Sequence, residues 1–510
     1  MRSTLPVLLA LIAAPLVGCD AASGPEAAYR LARHQAPVGA TPTTTSASDA
    51  GFDDAAHADA GLLGDATTPG GSSDAGLIGP DLDGPTGSAD AGPEPAGDTA
   101  DDVVAEDAGD AGGRADTREP PEPASEPLGT LDDPHVADAW PLVRHHTTAG
   151  APSNLFDRYD CAATTSEAGP ERIYRLEVAA AGTLVAEVLE ASGVDVDLHL
   201  LAAPPVAGSR TAPCVARANT RLVREVGPGT HWLVVDSFQR SDGTIAAGAY
   251  TLGVELTVLD TWQENQLSEG LTWKKKVYAN HAGGRQTVNV LEIDLARHEV
   301  RPHYTGTCSR TSAVGAGLRA QAAINGGFFD MSAGNCPALD LVKIGGVLKT
   351  ANRLTGAAQR CFGVDRDNAP MWRWVPAGED WAAAWHALGA YPNLVTNGAV
   401  DIVPEKTSDF FAGRHNRTAI GVTGSGQMLL VTVDGRTAAG RGMTMRDLAQ
   451  HMVSLGAVEA VNLDGGGSTT MWIPDGSVNG VVNYPSDNAT ADHFGERRVS
   501  DILVVLPRTP

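Results

Sequence analysis

The chain has 510 residues, and 62 acidic against 37 basic side chains give it a formal net charge of −25. Nearly all of that excess lies in one stretch, since residues 20–137 hold 24 Asp and Glu against four Arg and no Lys, leaving about −5 for the remainder. The low pI therefore describes one segment, and the absence of a basic patch or stripe elsewhere excludes nucleic acid as an expected partner.

Arg2, an apolar stretch over 5–17 and the tetrapeptide Leu16-Val17-Gly18-Cys19 read as an export signal covering residues 1–18. The apolar run is shorter than the roughly 20 residues that a membrane span needs. The tetrapeptide resembles a bacterial lipobox. That resemblance implies cleavage before Cys19, acylation of Cys19, and a lipid anchor holding an exported protein in the bacterial cell envelope, on the periplasmic side or the outer surface. An ordinary secretory signal, with Cys19 lost, is the alternative. Residues 19–137 follow as a disordered tether rich in Ala, Gly, Pro and Asp. Its apolar surface is too small to offset chain entropy, and its like charges extend it. With Cys19 assigned to lipid, five cysteines remain, and export makes disulfides the expectation. Segment boundaries suggest Cys161 with Cys214 and Cys308 with Cys336, although the sequence alone fixes no pairing. Cys361 is left over, as a buried small hydrophobe rather than a catalytic thiol.

Across 138–258, runs at 172–178, 183–189, 194–201, 231–238 and 249–256 are apolar or alternate with period two, with turn signals between them, which predicts a small all-β sandwich. In Val194-Asp195-Val196-Asp197-Leu198 both aspartates share one strand face, a place for calcium or sugar, or the solvated outer face of an edge strand. The runs around Tyr174, Asp197, Trp232 and Tyr250 resemble the bacterial pre-peptidase carboxy-terminal β-domain, an accessory module to which no chemistry is assigned.

Residues 262–510 are long enough for an enzyme core. Strand-like runs at 286–295, 322–324, 419–422, 428–433, 460–463 and 500–506 accompany one legible helix, 444–455, with Thr444 as N-cap ahead of Asp447 and Gly456 closing it. An α+β domain built around a mixed sheet is expected. Glycine-flanked polar clusters stand at the ends of its apolar runs: Asn325-Gly326-Gly327-Phe328-Phe329-Asp330, Asp434-Gly435-Arg436, and Asn462-Leu463-Asp464-Gly465-Gly466-Gly467-Ser468-Thr469-Thr470. A buried strand fixes the polar side chain that follows it, and glycines let backbone N–H groups approach an anion or sugar. Taken alone, Asp434-Gly435 reads as a hairpin turn.

Taken in order, with Thr396-Asn397-Gly398, Arg417-Thr418-Ala419-Ile420-Gly421, Gly442-Met443-Thr444 and Glu496-Arg497-Arg498, these clusters resemble the phosphodiester glycosidase family over nearly all of residues 285–506. The resemblance implies hydrolysis of the bond between a sugar C1 and a phosphodiester oxygen, releasing free sugar and a phosphomonoester. Such a reaction develops positive charge at C1, so a carboxylate must stabilise or attack it; Asp464 is the first candidate and Asp434 the second. The departing phosphate calls for a guanidinium fork, with Arg417 first and Arg436 and Arg497 behind it. Asn325, with Gly326 and Gly327, is placed against sugar hydroxyls or phosphate; Gly465, Gly466, Ser468 and Thr469 add donors. Glu496 is either a base for the attacking water or an ion-pair partner of Arg497.

His415 and His451 lack a second histidine at ligand spacing, so no obligatory metal or other cofactor is expected, while the acidic oxygens leave room for a structural calcium. Met371-Trp372-Arg373-Trp374, Trp381 and Trp385 read as core or edge strand rather than as sugar-stacking rings. The expected partner is a glycan phosphodiester, for instance in an exopolysaccharide, with the membrane reached through the lipid. A non-catalytic polysaccharide-binding lipoprotein at the envelope and a hydrolase of ordinary glycosidic bonds are the alternatives.

Overall fold

The computed structural model describes residues 126–508 apart from 163, 354–357 and 403–405, and these fall in one compact unit. The expected signal (1–18), Cys19 and residues 19–125 of the expected tether lie outside the described residues. Among the described residues, no helix is long and apolar enough to cross a membrane.

Two sheets face each other at the amino-terminal end. One orders its strands His135–Ala137, Glu171–Val178, Gly229–Ser237, Val196–Leu201, Cys214–Ala218, and the other Leu142–Thr147, Ala249–Thr257, Gly182–Glu190, Arg221–Val226. Alternation drives this packing. Tyr174, Leu176, Leu198 and Leu233 of the first sheet and Leu184, Ala186, Leu252 and Val254 of the second share one buried core, while intervening side chains turn outward. The sandwich begins earlier than expected: His135–Ala137 pairs in parallel with Glu171–Val178, inside what reads as tether, burying His135 and Ala137 while Val136 turns outward. The reading of Asp197 as a solvated edge residue is also corrected. Its strand lies between two others and is buried along its whole length. A loop pinned by the disulfide Cys161–Cys214 covers that outer face and packs Phe156 and Tyr159 upon it.

Three further sheets follow. An eight-stranded sheet runs in the order Gln263–Ser268, Leu271–His281, Gly284–Ile293, Met428–Val433, Arg417–Thr423, Ala457–Asn462, Asn393–Thr396, Ala399–Val400. A four-stranded sheet orders His298–Ser309, Val499–Pro507, Ala322–Asn325, Met471–Trp472, and a five-stranded one Val347–Thr350, Val342–Ile344, His386–Ala390, Gln359–Val364, Pro370–Val375. One core joins all three, with Leu291, Ile420 and Leu430 from the first, Ile324 and Leu503 from the second, and Phe362 and Leu388 from the third.

The expectation of a mixed sheet fails here. Every pairing in these three sheets is antiparallel. Parallel neighbours need long crossovers, usually helical, and the helices here are Thr311–Gly317, Asp409–Ala412 and Met445–Ser454. The domain is mostly β. Among the described residues, the one helix longer than two turns is the expected one: Thr444 and Asp447 form a capping box, and Gly456 takes φ +87° just beyond the end. That helix lays Leu448, Ala449 and Met452 on the outer side of the eight-stranded sheet.

Pro370–Val375 is an edge strand, which puts Trp372 against the core and leaves Trp374 half exposed, while Trp381 is buried. Cys308 and Cys336 are bonded to each other, and Cys361 is a buried thiol that burial pushes up to about 12. A thiol held there is not a nucleophile at neutral pH. The native chain is accordingly expected not to react with a disulfide reagent such as DTNB, and Cys361→Ala to retain activity within about twofold; rapid native labelling would contradict this.

Candidate active site

The ends of four neighbouring strands bring the polar clusters together. Asn325 ends its strand at the seam where Thr470, Thr418 and Asp464 meet. Its Oδ1 accepts from Thr418 Oγ1 at 2.9 Å and from the Thr470 N–H at 3.1 Å, and its Nδ2 donates to the Asp464 carbonyl at 2.7 Å. The Asp464 N–H closes the seam on the Gly326 carbonyl at 3.1 Å. The Asp464 side chain is only 6% exposed, and its Oδ1 accepts the Gly465 N–H at 2.9 Å.

Two carboxylates absent from the sequence reading surround this seam. Asp501 accepts the Gly327 N–H on Oδ1 at 2.8 Å and the Gly326 N–H on its carbonyl at 2.9 Å. Asp340 accepts the Phe328 N–H at 3.0 Å and the Gln359 amide at 2.6 Å. Burial pushes Asp340 up to about 6 and Asp501 up to about 7, and in both the charge of Asp464 adds to the rise. Three acids thus share one buried region around Gly326 and Gly327. The expectation that these glycines offer N–H groups to a ligand is corrected, since both are committed to Asp501. What glycine permits is the approach itself: a Cβ on Gly326 would collide with the Asp501 carboxylate.

Asp434 ends the strand Met428–Val433. The chain then continues through Arg436, at φ +61°, toward the capped helix, so Asp434-Gly435 is not the centre of a two-residue hairpin. The Asp434 Oδ1 accepts from Asn483 Nδ2 at 3.1 Å and the Tyr484 N–H at 3.0 Å, whereas Oδ2 is buried without a hydrogen-bond partner. Burial pushes this carboxyl up to about 7. Asn483 also donates to the Thr469 carbonyl at 3.1 Å, tying Asp434 to the Gly465–Thr469 turn.

That turn lies against two guanidinium groups. Gly466, at φ +61°, is so close to Arg436 that a Cβ would come within 2.9 Å of its Nη1. Gly467 is packed against the paired side chains of Asp487 and Arg497, and Arg497 Nη1 lies 3.5 Å from Ser468 Oγ. Arg497 is oriented by Asp487 through two bonds of 2.6 Å, and Arg436 by His415 Nδ1 at 2.7 Å. His415 in turn meets Asp409 at 3.0 Å; burial, then Arg417 and Arg436, hold its imidazole below the usual range, so it serves as a neutral acceptor for Arg436. Two cations facing a glycine turn beside buried carboxyls suit an anionic ligand with a cationic centre.

Residues 318–506 match the family model described as phosphodiester glycosidase. The chain is 30% identical over 200 residues to N-acetylglucosamine-1-phosphodiester alpha-N-acetylglucosaminidase of Bos taurus, covering 36% of each protein, and 31% identical over 210 residues to that of Mus musculus, covering 38% of each. It therefore spans little more than a third of the length of these relatives. The zebrafish enzyme's catalytic domain, auto-inhibited by its pro-peptide, aligns with 49% of this chain and 89% of its own at 22% identity and a TM-score of 0.39.

In this part of the chain, three of the expected site residues take other places: Arg417, Glu496 and Asn325. Arg417 is buried, with Nε on the Met443 carbonyl at 2.8 Å and Nη2 on the carbonyls of Phe410 and Gly413 at 3.0 and 2.9 Å. Those bonds fix the 410–413 turn, and Arg436 and Arg497 are the guanidiniums that stand against Gly466 and Gly467. Glu496 neither pairs with Arg497 nor faces the turn. Its two oxygens accept from the Ser312 N–H at 2.8 Å and the Ser312 hydroxyl at 2.5 Å, at the start of helix Thr311–Gly317. Asn325, fully buried, holds the seam instead of facing sugar hydroxyls. His451 lies apart, packed on His281 at 5.2 Å, and burial lowers it to about 4. Asn416 is the residue most easily overlooked: its carbonyl accepts the Gly466 N–H at 2.9 Å, and its buried amide has no hydrogen-bond partner. Its position between His415 and Arg417 in an unremarked Asn-Arg-Thr was the only local signal.

The raised acids have a stability consequence with a definite sign. A carboxyl whose folded value lies above its unfolded one contributes stability that is present below the unfolded value, near 3.8, and lost as pH rises through the folded value, about 7 for Asp501. Asp501→Asn keeps the acceptor for Gly327 and removes this loss. It is expected to melt a few degrees above the parent at pH 8, with the difference shrinking toward pH 4. Thermal melts across that range check it; a difference independent of pH would refute the assignment.

Proposed function

We propose that this chain hydrolyses sugar-1-phosphodiesters in glycans or glycoconjugates. The observation that carries this reading is the glycine turn after Asp464, set between Arg436 and Arg497 and backed by Asp434, Asp340 and Asp501. In the reaction, the bond between C1 and the phosphodiester oxygen breaks with its electron pair leaving on oxygen, and Arg436 and Arg497 hold the departing phosphate. Asp464 stabilises the positive charge that develops at C1. Water adds to C1, and its proton passes to a carboxylate; Asp434, near neutrality and with one oxygen unbonded, has the proton affinity for this step. No step in this scheme calls for a metal at the turn.

The relatives' names concern N-acetylglucosamine-1-phosphodiesters, which makes that sugar the first to try. Export by the amino-terminal signal and retention at the envelope through acylated Cys19 would place the enzyme beside phosphate-bearing exopolysaccharide. The sandwich, with its likeness to the pre-peptidase module, accompanies the enzyme there. Release of free sugar by the full chain from a panel of sugar-1-phosphate diesters, with and without chelator, tests the reading. Turnover insensitive to chelator supports it. No turnover, together with saturable glycan binding, would replace it with a binding protein.

A further inference from the structure

The most unusual polar cluster outside the glycosidase site lies under the disulfide-pinned loop of the sandwich. Glu167 descends from that loop, Asp197 and His199 rise from alternate positions of the strand Val196–Leu201, and all three are at most 1% exposed. Glu167 Oε1 and Oε2, Asp197 Oδ1, and His199 Nδ1 and Nε2 have no hydrogen-bond partner. Arg217 binds the other Asp197 oxygen at 2.5 Å and Asn219 Oδ1 at 2.9 Å, and stands 3.7 Å from Glu167. Tyr159 stacks on the imidazole at 3.5 Å between ring centroids and shuts the cluster from above. Buried donors and acceptors are rarely left unpaired one at a time; five around one point mark a place built for something that all of them can bind.

We infer that Glu167, Asp197 and His199 form a structural binding site for a divalent transition-metal ion of the zinc class. One ligand atom from each of the three lies within 4.8 Å of the others. The separation of His199 Nε2 from Glu167 Oε1 is 3.8 Å, too long for a hydrogen bond. It is within a few tenths of an ångström of the roughly 3.4 Å between two ligands bonded at about 2.0–2.1 Å and a tetrahedral angle. An imidazole nitrogen with two carboxylate oxygens favours zinc, cobalt or manganese over calcium. The ion would clamp the segment that carries Glu167 onto the sheet, while the disulfide Cys161–Cys214 holds the chain that precedes it. It belongs to the sandwich and takes no part in the proposed hydrolysis, so it stands or falls separately from that reading.

The test uses the full chain with ZnCl2 alone as the probe. After gel filtration, about one equivalent of zinc is expected to remain by elemental analysis, and excess zinc is expected to raise the melting temperature by roughly 5–10 °C. His199→Gln should abolish both effects, whereas His146→Gln, which alters the partly exposed Glu126–His135–His146 group, should leave them intact. Should His199→Gln fail to fold, cobalt substitution of the unmodified chain supplies an independent readout, since d–d absorption bands of an imidazole and carboxylate site are expected. Zinc retention unchanged by His199→Gln, or absent cobalt bands, overturns the inference in favour of a proton shared between Glu167 and Asp197.

Discussion

Asp464→Ala in the full chain is expected to lower the rate of sugar release by on the order of 10³-fold, with folding preserved. The side chain is nearly buried, and its Oδ1 accepts the Gly465 N–H. The seam is held by the Asp464 backbone, through Asn325 and Gly326. A carboxylate opposite a developing positive charge acts almost entirely in the transition state. The loss should therefore appear in kcat far more than in KM. Asp434→Asn should also cost 10²-fold or more, and should remove from the pH–rate profile the limb near pH 7 that this carboxyl would impose in the parent. Retention of turnover within tenfold by Asp464→Ala would move the chemistry to another carboxylate, with Asp340 and Asp501 next in line.

Glu255→Ala, a substitution in the accessory sandwich, is expected to have the largest effect on stability and to reach the candidate site as well. Glu255 receives Lys275 Nζ at 2.7 Å and the Tyr484 hydroxyl at 3.2 Å, His493 Nε2 stands 3.4 Å from its other oxygen, and Glu187 of the same sandwich lies 4.0 Å from His493. Burial works against the Glu255 charge, but Lys275 and His493 outweigh it and hold the carboxyl well below its usual range. Burial likewise opposes the His493 charge, and Glu255 reverses that by bonding it. Removing one member of such a buried set typically costs about 3–5 kcal/mol, because the partner charges stay behind without compensation. In a chain of this size a loss of that order lowers Tm by roughly 10 °C. The stability tied to Glu255 is present above about pH 4.5, the unfolded value, and disappears as pH falls toward the depressed folded one.

The same residues reach Asp434. Tyr484 stacks on His493 at 4.8 Å, the Asn483 carbonyl meets His493 Nδ1 at 3.0 Å, and Asn483 and Tyr484 supply both bonds to Asp434 Oδ1. Loosening Glu255 should thus lower kcat by about tenfold through misplacement of Asp434. The fragment 262–510 should be less stable and less active than the full chain, since it strands Lys275 and His493. Calorimetry and turnover on Glu255→Ala, Lys275→Met and the double variant check the coupling, which predicts a double loss smaller than the sum of the singles. Equal stability and activity of the fragment and the full chain would show that the sandwich is a passenger.

The amino-acid sequence by itself determined the parts of this protein that short-range physics encodes. The run at 172–178 and the strand-like runs at 428–433 and 500–506 became strands within a residue or two of their expected ends, and Thr444 with Asp447 started the helix that Gly456 stops. The glycine clusters, read in order, carried the family. Leu271–His281 was less legible: Leu271, Trp273 and Val277 alternate as a strand should, but Lys275 interrupts the pattern, and its burial depends on Glu255 arriving from the sandwich. The roles of individual polar residues were decided by the tertiary structure alone. Asp501 reaches Gly327 from 174 residues away, Glu496 reaches Ser312 from 184, and Arg417 turns to carbonyls contributed by neighbouring loops. A carboxylate or guanidinium looks the same in a sequence whether it faces a ligand, caps a helix or supports a turn; only the folded neighbours that accept or donate its hydrogen bonds make the difference.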